Sequence, residues 1–306
     1  MPARWENAAA IPPEPPELPL QTTKCLRGHT VTGYRRDYLG NRFIYVTMSP
    51  RARGLSVGVN LNPDKRCNFA CVYCDVDRAQ PGESARIDLE VLARELGAVL
   101  ALAREGKLRA RPAYQHIPAE LSQVQEVALG GEGEPTLAPQ FAEAMQILVH
   151  TRAVSPPPFF KLVLMTNASG LDTPAVKEGL HHLTLRDEIW VKLDAGTQSQ
   201  MNVINRTNLT LKKILANIQR LGCQRPIVIQ SLFPCFQGQG LSSVELEQYV
   251  CRLLELKNAG AQISLVQVYS AQQPTAHPQC GHLPLPSLAY IAQRIHEATG
   301  LTAQVF

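Results

Sequence analysis

The chain has 306 residues, 45% of them hydrophobic and 18% charged, with a formal net charge of +4 from 30 basic and 26 acidic side chains. This is the composition of a globular chain with a sizeable core, and its charge is too mild to announce a nucleic-acid binder. No stretch approaches the roughly 18 apolar residues of a membrane span, and the first ten residues lack the apolar core of a secretory leader. A cytoplasmic protein with no membrane association is expected.

In chain order, residues 1–22 are rich in proline and predict a flexible arm. Residues 23–54 form an N-terminal extension, and residues 55–306 the core domain. Within the extension, Arg27, Arg35, Arg36 and Arg42, with Arg51 a little further on, interleave with Tyr34, Tyr38 and Phe43. Basic and aromatic side chains together can bind RNA, but packing of this edge against the core is the favoured reading.

Short apolar runs bounded by turn signals predict strands over 55–61, 126–129, 161–165, 188–193, 227–233 and 263–269. Helices are expected between them. Asp88 caps a run with Leu89, Leu92, Leu96 and Val99 on one face. Thr173-Pro174 is a cap followed by proline at the first helical position. Thr210 precedes Leu211, Ile214, Leu215 and Ile218, with Gly222 as the stop. Ser242 and Glu245 have capping-box spacing, and Ser287 opens a last helix carrying Leu288, Ile291 and Ile295. Six β-then-α units make an α/β fold with a parallel sheet and right-handed crossovers. The pattern alone leaves open whether that sheet is flat or curved into a partial barrel. In both cases ligands gather at the carboxyl ends of the strands.

Directly after the first of these strands the sequence reads NPDKRCNFACVYC, ending in Cys67, Cys71 and Cys74. Three thiolates in one tight loop each bind one iron of a [4Fe–4S] cubane and leave the fourth iron without a protein ligand. That open iron is free to chelate the amino and carboxylate groups of S-adenosylmethionine. The alternatives are a zinc site or chance, but structural zinc usually takes four ligands in two pairs, and no paired second knuckle follows.

C-x3-C-x2-C with an aromatic residue before the last cysteine resembles the signature of the radical S-adenosylmethionine (radical SAM) superfamily. The resemblance runs from about Gly54 to Tyr269 and implies a partial (β/α)6 TIM-like barrel. It also implies a [4Fe–4S] cluster on Cys67, Cys71 and Cys74, S-adenosylmethionine as cosubstrate, and an external electron donor of flavodoxin or ferredoxin type. Tyr73 takes the aromatic position, which the family places against the adenine. Gly130-Gly131-Glu132 resembles the Gly-Gly-Glu segment that holds the methionyl amine, where glycines admit a ligand close to the backbone. Thr166-Asn167-Ala168 resembles Thr-Asn-Gly, with alanine in place of glycine; Asn167 is then a cofactor or substrate contact, or a routine turn former. Lys192 and Asp194 share one side of a strand, and the resemblance puts them near the cofactor carboxylate and ribose. Gln267-Val268-Tyr269-Ser270 corresponds to a segment lining the adenine.

Asn205-Arg206-Thr207 and the strand ends look closest to the branch of wyosine-type transfer RNA modification enzymes. Those enzymes carry a second cluster from further upstream cysteines, and here only Cys25 lies upstream. Of the remaining cysteines, Cys223 and Cys251 are expected in the core as small hydrophobes. Cys235, and Cys280 between His277 and His282, are candidates to face the site, and His181-His182 are expected exposed on a helix. No catalytic acid or base stands out. Three functions remain open: a radical enzyme on RNA, a radical enzyme on a protein or small molecule, and a non-enzymatic metal-binding module.

Overall fold

The computed structural model describes residues 36–80, 82, 85–156, 158–271, 275 and 277–306. The proline-rich arm, Cys25, Arg27, Tyr34 and Arg35 lie outside the described residues.

The chain builds β1 (Ile44–Ser49), β2 (Gly54–Val59), α1 (Leu89–Arg104), β3 (Val124–Leu129), α2 (Phe141–Val154), β4 (Lys161–Thr166), α3 (Pro174–Leu180), β5 (Glu188–Lys192), α4 (Gln198–Ile204) and α5 (Leu211–Gln224). It continues with β6 (Ile227–Leu232), β7 (Cys235–Phe236), α6 (Ser243–Asn258), β8 (Ile263–Tyr269), β9 (Cys280–Gly281), α7 (Leu285–Thr299) and β10 (Ala303–Val305). The main sheet has the order β1-β2-β3-β4-β5-β6-β8-β10. Only β1 runs antiparallel; every other neighbouring pair is parallel. The sheet does not close on itself, so it is a partial barrel with its helices outside. Among the described residues no helix is long and apolar enough to cross a membrane.

Alternation along the strands sorts the barrel interior into layers. Glu126, Lys161 and Glu188 form the lowest, with the Lys161 ammonium 2.6 Å from Glu188 and 3.9 Å from Glu126. Ala128, Val163, Trp190 and Val228 pack together above them. The next inward positions are Gly130, Met165, Lys192, Gln230 and Gln267, and there the packing gives way to a cavity, which Tyr269 lines one step further up β8. The larger apolar core lies outside the barrel, beneath the helices. Leu92, Leu96 and Val99 of α1 are buried there, as the spacing predicts, with Ile214 and Ile218 of α5.

Several local expectations are corrected. Gly222 does not stop α5. It lies inside the helix, where an added Cβ would meet the Ala261 Cβ at 2.8 Å, and the helix runs on to Gln224. The last helix begins at Leu285, two residues before Ser287, because Pro284 and Pro286 already set helical entry. Cys223 and Cys251 are exposed, on the outer faces of α5 and α6. His181-His182 fall in the turn just after α3 rather than on the helix. The Ser242–Glu245 capping box forms in full.

Candidate active site

The cysteine loop starts where β2 ends, and three anchors shape it. Asn60, 1% exposed, accepts from the Asn62 amide at 3.0 Å and donates to the Glu132 carboxylate at 2.9 Å and the Tyr38 hydroxyl at 3.0 Å. The middle of the loop docks on the end of α4, with Ala70 N–H donating to the Asn205 carbonyl (3.0 Å) and Val72 N–H to that of Ile204 (2.9 Å). The Thr207 hydroxyl donates to the Asn68 carbonyl at 2.9 Å. On the third side the segment after β3 presses in: a Cβ at Gly133 would lie 2.2 Å from the Arg66 carbonyl, so only glycine allows this approach.

Each of the three thiols then meets an N–H donor. The Phe69 amide points at Cys67 Sγ (3.4 Å), the Asn205 side-chain amide at Cys71 Sγ (3.4 Å) and the Arg78 guanidinium at Cys74 Sγ (2.9 Å). Burial pushes the Cys67 thiol up to about 11; burial first and Asp194 second push Cys71 to about 12. Such donors suit sulfur that carries negative charge, and the set supplies the three thiolates that an open-cornered cubane takes. Among the described residues no three His, Cys, Asp or Glu side chains converge on a single-ion site.

All three cysteines face one cavity of about 810 Å³ at the carboxyl ends of the strands. Tyr73, Gly130, Gly131, Glu132, Asn167 and Lys192 line it as well. Asp194 does not. It is 4% exposed and borders a second cavity of about 480 Å³ behind the first. Its carboxylate accepts from the Tyr73 hydroxyl, the Asn205 amide (2.8 Å) and the Leu232 N–H (2.9 Å), and lies 3.5 Å from the Lys192 ammonium. Lys192 also donates to the Tyr269 hydroxyl at 2.9 Å. Burial works against its charge, yet Asp194 and Tyr269 hold the ammonium above its ordinary value. For Tyr73, burial first and Asp194 second raise the hydroxyl, so it donates rather than ionises.

Asn167 turns toward the cysteine loop. Its side-chain amide donates to Asn68 Oδ1 at 2.8 Å, and its N–H donates to the buried Glu134 carboxylate at 2.7 Å. Ala168, at the family's glycine position, has φ +66°, the left-handed conformation that glycine adopts freely. On the β7–β9 ladder Cys235 pairs with Gly281 and Cys280 with Phe236, and neither cysteine lines the cavity.

Asn60, Arg78 and Glu134 carry no sequence signal of their own. Arg78 stands four residues past Cys74 in a loop and also reaches the Lys65 and Glu132 carbonyls. Asn205 drew notice only as part of a family-like tripeptide. The described part of the extension packs inward, as favoured: Phe43 is fully buried, Arg36 pairs with Asp75 at 3.0 Å, and Tyr38, Tyr45 and Arg51 line the cavity.

The fold has counterparts among solved structures. A radical SAM methyltransferase from Sphaerobacter thermophilus matches 89% of this chain and 71% of its own, at 16% identity and a TM-score of 0.58. TYW1 with a lysine-pyruvate adduct bound matches 83% and 84%, at 14% identity and a TM-score of 0.54. A spore photoproduct lyase variant with dinucleoside spore photoproduct matches 78% and 73%, at 10% identity and a TM-score of 0.52. The fold is that of the radical SAM enzymes. Curated relatives are a UPF0026 protein of Synechocystis, 29% identical over 183 residues, and one of Helicobacter pylori, 28% identical over 177. The matched segments are 58% and 56% of this chain, and the chain spans about half the length of these relatives, 58% and 48%. No family model matches the chain.

Proposed function

We propose that the chain is a radical SAM enzyme of the cytoplasm that takes an electron from a flavodoxin- or ferredoxin-like donor. The observation that carries this reading is the opening of three loop thiols, each with its own N–H donor, onto one cavity at the strand ends of a radical-SAM-type barrel. Cys67, Cys71 and Cys74 would hold a [4Fe–4S] cluster. That cluster, when reduced, supplies the electron that splits S-adenosylmethionine into methionine and a 5′-deoxyadenosyl radical.

The protein's part is to bind, orient and exclude water. Glu132, held by Asn60, would accept the methionyl ammonium beside Gly130 and Gly131. Tyr73 would lie against the adenine and Lys192 against a carboxylate. Asn167 would steady the loop through Asn68. Asp194, its carboxylate already taken by four donors, would set Tyr73 and Lys192 from behind.

The test is anaerobic purification, reconstitution with iron and sulfide, reduction, and assay for 5′-deoxyadenosine from S-adenosylmethionine. A triple Cys67→Ala, Cys71→Ala, Cys74→Ala variant is the control. Product from the wild type alone is expected. A colourless protein that retains zinc would defeat the reading.

A further inference from the structure

We infer that the cavity contains a built oxyanion site centred on Arg51, and that the substrate of the reaction proposed above carries a carboxylate or phosphate which Arg51 holds. The inference rests on that reading for the cavity's use, but on separate observations for its chemistry.

Arg51 lies in the turn joining β1 to β2 and lines the cavity. Its guanidinium carbon sits 4.2 Å from the centre of the Tyr269 ring and 5.9 Å from that of Trp190. Stacking of this kind fixes the plane of the guanidinium and leaves its in-plane N–H edges for an acceptor. The structure supplies none to its Nε, which is buried without a hydrogen-bond partner. No carboxylate comes within the 4.0 Å of an ion pair among the described residues. A buried donor left unpaired is destabilising, more so when charged, so a ligand acceptor here gains what the fold leaves unmet.

Neither neighbouring carboxylate forms an ion pair with Arg51. Asp194 is occupied by Tyr73, Asn205, Leu232 and Lys192. Glu126, in the layer below, faces Lys161 at 3.9 Å; burial raises its carboxyl above the ordinary value, and Lys161 and, more weakly, Arg51 oppose that rise, but Glu126 makes no ion pair with Arg51. Tyr269 joins two cations, accepting from Lys192 through its hydroxyl while its ring carries Arg51. With Lys192 balanced by Asp194, Arg51 is the cation on this ring that has no carboxylate in ion-pair range, and a guanidinium matches the two oxygens of a carboxylate or phosphate with parallel hydrogen bonds. The Gln230 side chain lines the same wall and offers a further polar contact.

The test is isothermal titration calorimetry on the reconstituted, oxidised protein, first with S-adenosylmethionine and then, at saturating S-adenosylmethionine, with acetate or inorganic phosphate at constant ionic strength. Saturable binding of one probe is expected, identifying the oxyanion. Arg51→Gln should weaken it about tenfold or more, and Arg51→Lys, which keeps charge but loses the fork, should weaken it less. Thermal melts establish that both variants are folded, and Arg51→Lys carries the comparison if Arg51→Gln is not. Binding indifferent to both variants, or absent in the wild type, overturns the inference. An anion displaced by S-adenosylmethionine also overturns it, since Arg51 would then serve the cofactor's own carboxylate. Arg51-dependent anion binding by a protein that takes up no S-adenosylmethionine would keep the site and sink the radical reading instead.

Discussion

Asn205 joins the cysteine loop to Asp194: its side-chain amide lies 2.8 Å from the Asp194 carboxylate and 3.4 Å from the Cys71 thiol. Asn205→Ala removes both contacts and leaves a buried carboxylate short of a donor. A loss of about 1.5–3 kcal/mol is expected. Asn205→Asp should cost more, because a second carboxylate would then face Asp194. Denaturant unfolding of the two variants checks the order; an Asn205→Asp protein as stable as wild type would contradict it.

Arg78 donates to Cys74 Sγ at 2.9 Å. A cationic donor on a ligating sulfur favours the more negative, reduced cluster. In Arg78→Gln the cluster's midpoint potential should fall. An electron paramagnetic resonance redox titration reads this directly. An unchanged potential would show that the contact does not persist once the thiolates are bound.

The docking of the segment after β3 on the cysteine loop depends on Gly133. An added Cβ would overlap the Arg66 carbonyl, which is backbone and cannot rotate away. Gly133→Ala should lose about 1–3 kcal/mol of stability. It should also take up less iron than wild type on reconstitution. Full iron content with unchanged melting would mean the loop has room that the structure does not reveal.

Asp187 ties the lower end of the barrel together. It accepts from both Arg152 guanidinium nitrogens, from Leu162 N–H at 2.9 Å and from Thr184 N–H at 2.8 Å. Burial opposes its charge, but Arg152 and these amides outweigh it and hold the carboxyl below its ordinary value of 3.8. With a folded-state value depressed in this way, the stability contributed is fully present above about 3.8. It is lost as pH falls through the lower folded value. Asp187→Ala should cost about 3–5 kcal/mol near neutral pH, since it strands a mostly buried guanidinium. The penalty should shrink in acid, which melts taken at a series of pH values can follow.

The six core strands, the parallel order and the cysteine motif were legible because each is a local pattern: apolar runs, caps and three thiols within eight residues. β1 and β10 were not. β1 lies between Arg42 and Arg51 and pairs antiparallel with β2, outside the β-then-α rhythm, and β10 has three residues. Cys223 and Cys251 were misjudged because helix spacing does not reveal how far the apolar stripe extends around α5 and α6.

The chemistry of the site divides in the same way. The sequence by itself determined that three thiols would share a loop after a strand, because ligand spacing within a loop is short-range geometry. It also placed Gly130, Gly131, Glu132, Asn167 and Lys192 at strand ends, where an α/β sheet collects its ligands. Only the tertiary structure decided that Asp194 would be closed off behind Tyr73 and Lys192, that Asn205 and Arg78 would each take a thiol, and that Arg51 would be stacked on Tyr269 without a partner for its Nε. Apart from Arg78, which reaches Cys74 from four residues along the same loop, those contacts join residues on different elements, and the curvature of the barrel, which no local pattern encodes, brings them together.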